Sequence, residues 1–436
     1  MGVELKDTCI PLTWAWTVPP NSGSIHSERM MNSILLSRSL AATQSFPAVL
    51  AVLLLSGVGA GTAAEPPSAS SNTPLAFPQN VSVRHELEHA IERGLLWLST
   101  NQNANGWWST PDQPALTALA LSAWQGQPKN RERADSTPGI RRGYEYLLSC
   151  VQPNGGIHRS NLVTYNTALS MMALVAARRP EHEPVLRKAR QFLVGLQRDF
   201  GVKGQTDDVF DGGIGYGSRY EHSDMGNTSA ALEALHYTKY LIADRPLADS
   251  TDLNWGAAVA FLQNCQNLPG RNQQPWASRE PRNKGGFIYY PGHSMAGGET
   301  NATTGRVALR SYGSISYAGL LSYIHADLKR DDPRVVAVFD WLRSNYTLTE
   351  NPGMGPQGLY YYFHTMTKAL TAYGARELEL ANGQKVDWRR ELALRLINLQ
   401  QRDGSWSNEN GRWWEKDPAL VTSYAVLSLE LIQAGL

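Results

Sequence analysis

The chain has 436 residues, of which 42% are hydrophobic and 18% are charged, an ordinary globular composition with enough apolar material for a large core. Its 40 basic and 39 acidic residues leave a formal net charge of +1. This balance gives no charge-based reason to expect a nucleic acid or a strongly acidic partner.

The first 64 residues are predicted to be an upstream extension and a signal peptide. The apolar run 46–58 follows Arg38, and the small residues 62–64 then provide a cleavage site. The run is too short for a transmembrane helix, although an uncleaved anchor is the main alternative. Met30 offers a second start, so residues 1–29 are interpreted as an artefact of the gene model. We therefore expect export, periplasmic or secreted, with cleavage near Ala64.

The mature chain is predicted to begin with a Pro/Ser-rich linker at residues 65–83, followed by a single domain at 84–436. Export implies an oxidising compartment, in which the pairing of cysteines matters. The mature chain keeps Cys150 and Cys265, and neither has the close second cysteine of a zinc-binding motif.

One phrase recurs six times along this domain, and internal repeats of this kind define an architecture. Each copy has an amphipathic segment, a Gly/Trp turn, and a second segment rich in Ala and Leu that starts at Thr or Ser. Both segments place apolar residues near i, i+3, i+4 and i+7, which predicts a helical hairpin. The Thr or Ser that starts each second segment is predicted to cap that helix. These residues are Thr117, Thr167, Thr228, Ser316, Thr365 and Thr422.

The six hairpins predict an all-α fold, an α/α toroid closed into a barrel. Closure lets one helix of each hairpin line the inside while the other covers the outside; an open solenoid is the alternative. The second segments, richer in small residues, suit the crowded inner ring. Cys150 and Cys265 end outer helices of the second and fourth repeats, which are not neighbours in such a ring. We therefore predict two free and mostly buried cysteines, because a disulfide needs Cα atoms within about 7 Å.

The turns resemble the repeat of the prenyltransferase and squalene-cyclase family. The similar phrases are Gln102 before 106–108, Gln152 before 155–156, Gln197 before 212–213, Gln266 before 285–287, and Gln400 or Gln401 before 404–406. The resemblance covers roughly residues 84–436 and extends to exported bacterial members of the family. It implies an α/α toroid with a central cavity, usually apolar and lined with aromatic side chains. One toroid carries several chemistries, so the chemistry has to be sought in the site residues.

The class II cyclases of this family protonate an alkene or epoxide with a carboxylic acid held in a dry pocket. The family's Asp-x-Asp-Asp-Thr motif falls on residues 224–228 of this chain. Asp224 and Thr228 match, whereas Gly226 replaces the proton-donating Asp and Asn227 replaces the last Asp. The resemblance therefore implies a site that keeps one carboxylate of three. The chain also forms one toroid, whereas the squalene cyclases use two domains.

The protein prenyltransferases of the family bind zinc through Asp, Cys and His. His364 falls on the family's His, but Arg310 and Tyr312 fall near its Asp and Cys, so neither a metal nor another cofactor is expected. The run 207–211, Asp-Asp-Val-Phe-Asp, spells a magnesium-diphosphate motif. Its place in an inserted loop favours a solvated acidic loop, with a diphosphate or calcium site as the alternatives. Neither cysteine of the mature chain lies in the Cys-Gly-Glu-Gln thioester phrase of the complement-type toroids.

The starts of the six inner helices are expected to surround one mouth of the barrel and to present unsatisfied N–H groups there. Asp224, His364 and Tyr312 are the candidate catalytic residues, and a hydrogen-bonded Asp224–His364 pair would be the sharpest sign of chemistry. A helix cap is the structural alternative for Asp224, and a buried hydrogen-bonded ring is the alternative for His364. The candidate substrate-binding residues are Asn227, Arg310, Tyr165, Tyr216, Tyr317, Tyr361, Tyr362 and Trp108.

The leading functional hypothesis is a toroid that binds or transforms a prenyl or polycyclic lipid, an apolar isoprenoid-type ligand, in an aromatic cavity. The second is an exported polysaccharide hydrolase or lyase, which needs two inward carboxylates roughly 5–10 Å apart for glycosidic hydrolysis. The third is a non-catalytic binding or scaffold module, whose cavity is plugged by the inserted loops 200–215 and 267–300. No nucleic acid partner and no stable transmembrane anchor are expected, and the sequence leaves the oligomeric state open.

Overall fold

The computed structural model describes residues 79–436, except for 128–129, 131–132, 134–135, 219, 244–251, 301 and 304. The predicted extension, the predicted signal peptide and residues 65–78 of the predicted linker lie outside the described residues. Among the described helices, none has both the length and the apolar character that crossing a membrane requires.

The described residues form twelve α-helices, arranged as six consecutive hairpins. The first helices of the hairpins are α1 (Gln79–Thr100), α3 (Pro138–Ser149), α5 (Glu183–Val194), α7 (Trp255–Cys265), α9 (Pro333–Ser344) and α11 (Trp388–Leu399). The second helices are α2 (Pro114–Gly126), α4 (Val163–Ala177), α6 (Met225–Tyr237), α8 (Gly313–His325), α10 (Leu359–Tyr373) and α12 (Pro418–Gly435). Helix α1 begins within the segment that was predicted to be linker.

The six second helices form a closed inner ring. Helix α2 packs on α4, α4 on α6, α6 on α8, α8 on α10, α10 on α12, and α12 returns to α2. Each first helix packs on an inner helix that is adjacent along the chain, and α1 also packs on α12. The inner helices are buried on most sides, whereas the outer helices bury one face. The all-α toroid is therefore confirmed, and the open solenoid does not describe this circuit of helix contacts.

The prediction that the Thr or Ser at the start of each second segment caps its helix is wrong. In five of the six repeats this residue instead joins the helix to the preceding turn by a hydrogen bond. Thr228 is already the fourth residue of α6, and its hydroxyl accepts a hydrogen bond from the Ile214 N–H at 2.9 Å. The same contact to a turn N–H is made by Thr117, Thr167, Ser316 and Thr422. In the fifth repeat, the Thr365 hydroxyl instead donates a hydrogen bond to the Tyr361 carbonyl of its own helix. The hydroxyls thus satisfy buried turn N–H groups, which are costly to leave unpaired.

In four of the repeats the glutamine of the repeat phrase joins its turn to the following repeat, whereas Gln152 of the second repeat bonds only within its own turn. Gln266 Nε2 donates to the Gly285 carbonyl in its own turn and to the Arg334 carbonyl at the start of α9, both at 2.9 Å. Gln102, Gln197 and Gln400 bridge in the same way, and Gln400 closes the ring by donating to the Ala90 carbonyl of α1. One polar side chain therefore fixes the spacing between consecutive repeats.

The inner helices are capped by acids and asparagines, several of which come from other parts of the chain. The N–H groups at the starts of α2, α6, α8, α10 and α12 are bonded by Asn166, Asp224, Asn351, Glu415 and Asp417 respectively. At the start of α4, the Thr164 N–H bonds the Tyr216 carbonyl at 3.2 Å. The mouth of the barrel therefore does not present the ring of unsatisfied N–H groups that was predicted.

Short strands, which the sequence did not indicate, occur in two of the loops. Strands β1 (Gly298–Thr300) and β2 (Val307–Leu309) form one antiparallel hairpin, with Glu299 opposite Ala308. Strands β3 (Leu378–Glu379) and β4 (Lys385–Val386) form another. Segments of two or three residues are too short to show the alternation by which strands are recognised in a sequence.

The acidic run 207–211 lies in a loop, as predicted. The Asp211 carboxylate accepts hydrogen bonds from the Phe200 and Asp208 N–H groups at 2.6 and 2.8 Å. The Asp207 carboxylate accepts from the Val202 N–H at 3.0 Å. These two carboxylates therefore organise the main chain of their own loop.

Both cysteines of the described part of the chain, Cys150 and Cys265, are free and buried, as predicted. They end α3 and α7 on the outside of the ring, with other repeats between them.

Candidate functional site

A cavity of about 340 Å³ lies where the inner helices begin. Every inner helix contributes to its wall, from the first two turns or from the residues just before them. The described residues that line it are Gln113, Ala115, Leu116, Leu162, Tyr165, Tyr216, Gly226, Asn227, Tyr289, Tyr312, Ser314, Ile315, Tyr361, Trp413, Trp414, Leu420 and Tyr424. Eight of these residues are aromatic and none is charged. A largely apolar concave site of this size with a few polar groups is typical of small-molecule binding.

Asp224 immediately precedes α6, and its side chain is fully buried beside two lining residues, Gly226 and Asn227. Its Oδ1 accepts from the Asn227 main-chain N–H at 2.9 Å, and its Oδ2 accepts from the Asn227 side-chain amide at 2.8 Å. Burial raises the pKa of Asp224 to about 6, although hydrogen bonds from Asn227 and Tyr289 act in the opposite direction. A carboxyl group with a pKa near 6 is suited to proton transfer near neutral pH.

Two tyrosines connect the surroundings of Asp224 to the cavity wall. The hydroxyls of Tyr216 and Tyr289 are hydrogen-bonded at 2.8 Å, and both side chains line the cavity. The Tyr289 carbonyl also accepts from the Met225 N–H at the start of α6, at 2.9 Å. Burial, together with the nearby Asp224 charge, raises the pKa of Tyr289, so this hydroxyl keeps its proton. Tyr289 of the inserted loop 267–300 thus forms part of the wall, Tyr216 directly follows the inserted loop 200–215, and a cavity remains between the inner helices.

The side of the cavity deeper in the barrel is closed by a hydrogen-bonded tyrosine pair. The hydroxyls of Tyr165 and Tyr424 are 2.7 Å apart, and the His364 ring stacks on Tyr424 with 5.0 Å between ring centroids. One turn further along α10, Lys368 forms a buried ion pair with Glu233 of α6. Burial, together with the Lys368 charge, holds the pKa of His364 well below its usual range, so the imidazole is neutral at pH 7.

Asp224 and His364, whose pairing would have been the sharpest sign of chemistry, are not hydrogen-bonded to each other. Both carboxylate oxygens of Asp224 are bonded by Asn227, whereas His364 packs on Tyr424. The Nδ1 atom of His364 has no hydrogen-bond partner among the described residues. The physical reason is depth along the helices, because Asp224 precedes α6 while His364 is the sixth residue of α10.

Two adjacent tryptophans form part of the rim. Trp413 and Trp414 have φ angles of 54° and 67°, and their side chains remain 40% and 48% exposed. This left-handed conformation costs roughly 1–2 kcal/mol for each side-chain-bearing residue. The buried Glu415 carboxylate holds the segment in place by accepting from the Tyr361 N–H of α10 at 2.8 Å and from the Asn408 side-chain amide at 2.7 Å. The segment is therefore fixed to the same helix that supplies Tyr361 to the cavity.

Five of the sequence-predicted site residues line the cavity together: Asn227, Tyr312, Tyr165, Tyr216 and Tyr361. They come from the second to fifth repeats, and they support the prediction that the starts of the inner helices meet at one mouth. Burial, together with the nearby Asp224 charge, raises the pKa of Tyr312 well above its usual range. Burial likewise raises the pKa of Tyr361. Both hydroxyls are therefore protonated at neutral pH.

The other predicted ligand-binding residues lie away from the cavity lining. Arg310 is half exposed, and its guanidinium lies 4.0 Å from Glu299 of β1. Tyr317 and Tyr362 pack against each other in the core between α8 and α10, with 5.6 Å between ring centroids. Trp108 is buried in the first turn, where its indole N–H donates to the Leu98 carbonyl at 2.7 Å. Trp108 therefore has a structural role in the turn of the first repeat.

Four aromatic lining residues were not predicted: Tyr289, Tyr424, Trp413 and Trp414. Tyr289 and the tryptophans are in long inter-helix segments, whose path cannot be read from helical periodicity. Tyr424 could have been found, because it lies within the first two turns of an inner segment, as Tyr165 does.

The residues that fall on the zinc-binding positions of the prenyltransferases do not come together. Tyr312 lines the cavity, Arg310 lies near Glu299, and His364 stacks on Tyr424. Within the described part of the chain, no group of three or more His, Cys, Asp and Glu side chains is placed to hold a metal ion.

Comparison with known proteins gives structural neighbours only. No protein-family model matches the chain, and no curated protein matches it. The type II terpene cyclase MstE from Scytonema aligns with 13% identity and a TM-score of 0.47 over 81% of this chain and 98% of its own. The GH76 alpha-mannanase BT2949 from Bacteroides thetaiotaomicron aligns with 10% identity and a TM-score of 0.48 over 80% of this chain and 96% of its own. A protein from Actinoplanes aligns with 13% identity and a TM-score of 0.45 over 80% of this chain and 100% of its own. At these values, none of the three assigns a reaction to this chain.

Proposed function

We propose that this chain is a terpenoid-cyclase- or prenyltransferase-like toroid that binds or transforms a prenyl or polycyclic lipid in its central cavity. The observation that carries the proposal is the cavity itself, whose wall has eight aromatic side chains and no charged one. Such a wall favours an apolar ligand, because burying hydrocarbon against it releases water from both surfaces. Export of the chain, which rests on residues 46–64, remains part of the proposal.

The polysaccharide hypothesis finds less support in the lining. Glycosidic hydrolysis needs two carboxylates on opposite sides of the scissile bond. The described residues that line the cavity include neither Asp nor Glu. Asp224 is adjacent to the wall, but its two oxygens are held by Asn227.

The transforming role depends on Asp224 as the proton donor or acceptor. Gly226, where the cyclases keep their acid, lines the cavity, and a Cβ atom there would lie 3.3 Å from Asp224 Oδ1. Asp224 therefore lies next to the position of the family's acid, and its raised pKa suits proton transfer. Incubation with farnesol and geranylgeraniol, followed by mass spectrometry of the extract, separates the two roles. Cyclised products that disappear in Asp224→Asn indicate an enzyme, and unchanged alcohol indicates a binding protein.

Native mass spectrometry and lipid extraction of the purified protein test the proposal directly. We expect co-purified isoprenoid or polycyclic lipid, or stoichiometric uptake of added farnesol. Leu116→Trp, which fills part of the cavity, should abolish uptake. Leu96→Trp is the matched control, because Leu96 lies on the outer surface and is 64% exposed. The proposal fails if neither lipid nor added isoprenoid occupies the wild-type protein, or if both variants take up ligand equally.

A further inference from the structure

The hydrogen-bonding groups of the cavity are distributed unevenly around its wall. Several polar side chains in the lining are bonded to other protein groups, including the Tyr165–Tyr424 and Tyr216–Tyr289 hydroxyl pairs. The Gln113 side chain is likewise engaged by Asn166 and Ser160, at 2.8 and 2.7 Å. These groups already have protein partners, so they depend less on a ligand for hydrogen bonding.

Three lining side chains keep an atom that has no protein partner among the described residues. They are the carbonyl oxygen of Asn227 and the hydroxyls of Tyr312 and Tyr361. Asn227 and Tyr312 are only 5% and 3% exposed. Because the three atoms belong to lining side chains, a ligand group in the cavity can pair with them, and a ligand that covers them without pairing carries a free-energy cost.

Asp224 fixes the orientation of the Asn227 amide. Because one N–H of the Asn227 side-chain amide donates to Asp224 Oδ2 at 2.8 Å, the amide nitrogen is turned toward Asp224 and the side-chain carbonyl is available as an acceptor. The cavity therefore has an obligate acceptor at Asn227 beside two hydroxyls that can donate or accept. Asn227, Tyr312 and Tyr361 belong to α6, to the residue before α8, and to α10, which are consecutive in the inner ring.

The opposite side of the wall combines hydrocarbon side chains with polar side chains that are already bonded to protein groups. Its hydrocarbon comes from Ala115 and Leu116 of α2, Leu162 just before α4, and Leu420 of α12. The cavity thus has one face with polar atoms that lack a protein partner, and a second face whose polar side chains are bonded to protein groups. A pure hydrocarbon would fill the apolar side and leave the three polar atoms desolvated and unpaired, which opposes its binding.

We infer that the ligand of this cavity is a hydroxyl-bearing isoprenoid or polycyclic lipid, whose alcohol or phenol donates to Asn227 Oδ1 and accepts from Tyr312 or Tyr361. The inference rests on the proposed function and narrows its ligand class to an amphipathic alcohol. A hydroxyl suits this wall because it is both a donor and an acceptor. An ether can satisfy the tyrosines but cannot donate to Asn227.

Calorimetric titration of the full-length protein with three matched probes tests the inference. Farnesol should bind about tenfold more tightly than the hydrocarbon farnesene and several-fold more tightly than farnesyl methyl ether, as expected for one or two net hydrogen bonds (about three- to tenfold each). Equal affinity for all three probes overturns the inference but leaves the proposed function standing. Failure of all three to bind overturns both.

A double variant, Tyr312→Phe with Tyr361→Phe, should reduce the preference of the protein for farnesol over farnesene from about tenfold to about threefold, because the bond to Asn227 remains, while farnesene affinity is retained. Tyr144→Phe is the matched control, since its hydroxyl is buried outside the cavity and bonds the Ala173 carbonyl; it should keep the wild-type preference. An unchanged preference in the double variant overturns the inference. Retained farnesene binding shows that the double variant is folded.

Discussion

Replacing Asp224 by Asn should change how the stability of this protein depends on pH. The pKa of Asp224 is raised by burial from 3.8 to about 6, so the folded state holds a proton that the unfolded state releases between these pH values. The contribution of the protonated carboxyl group to stability is fully present below pH 3.8 and is lost as the pH rises through 6. A difference of about 2.2 pH units, at 1.36 kcal/mol per unit, corresponds to about 3 kcal/mol.

The assay is urea unfolding of wild type and Asp224→Asn at several pH values from about 4 to 7. The free energy of unfolding of the wild type, relative to that of the variant, should fall by about 3 kcal/mol across this range. Asn is also a good helix cap, so the variant keeps the N–H contact at the start of α6. Asp417→Asn makes the same change at the start of α12 and supplies the background to be subtracted. A difference that stays constant within about 1 kcal/mol, or that rises with pH, would refute the reasoning.

Three further substitutions test other parts of the structure. Thr228→Val should lower the free energy of unfolding by about 1–3 kcal/mol in urea, because the Ile214 N–H loses its acceptor; no loss would show that water replaces the hydroxyl. Glu415→Gln should cost about 1–2 kcal/mol in the same assay, because a charged cap at the start of α10 becomes neutral. Trp414→Gly should leave stability within about 1 kcal/mol, since relief of the left-handed conformation offsets the lost burial of a half-exposed ring. In titrations with farnesol it should nevertheless weaken binding several-fold, and unchanged affinity would show that this ring does not contact the ligand.

The repeat could be read from the sequence because each hairpin satisfies the same local requirements. Helical periodicity and a recurring turn predict six hairpins, and the need to bury both faces of each hairpin then favours closure. The position of the cavity followed, since the inner helices all begin at the same end. Five candidate residues were placed in the lining on this basis.

The caps could not be predicted because their residues come from distant parts of the chain. Asn351 bonds the Ser314 N–H from the loop before α10, and Glu415 bonds the Tyr361 N–H from the loop before α12. The local Thr and Ser residues resemble caps in the sequence, but in five of the six repeats their hydroxyls accept from turn N–H groups. Tyr289 and Trp413 were missed for a similar reason, since long loops carry no periodicity that indicates which side chain turns inward.

The arrangement of charges at this end of the barrel favours a neutral ligand over a prenyl diphosphate. Asp224, Glu415 and Asp417 occupy the starts of three inner helices, where an anion would otherwise be attracted. Arg412 lies beside the rim over the Trp413 ring, at 4.8 Å from its centroid. Three carboxyl groups at the helix starts, with Arg412 beside the rim, provide a weak site for a diphosphate.

Farnesyl diphosphate should therefore bind at least tenfold more weakly than farnesol in calorimetric titrations at pH 7.5 and low salt. Because the opposing interaction is electrostatic and close to solvent, raising the salt to about 0.5 M should narrow the gap between the two ligands. Arg412→Gln should weaken the diphosphate further and leave farnesol unaffected if the guanidinium acts only on charge. The opposite result would be that the diphosphate binds more tightly than farnesol and that its affinity falls as the salt concentration rises. Cations would then outweigh the three carboxyl groups at this mouth, and the ligand would resemble that of the prenyltransferases.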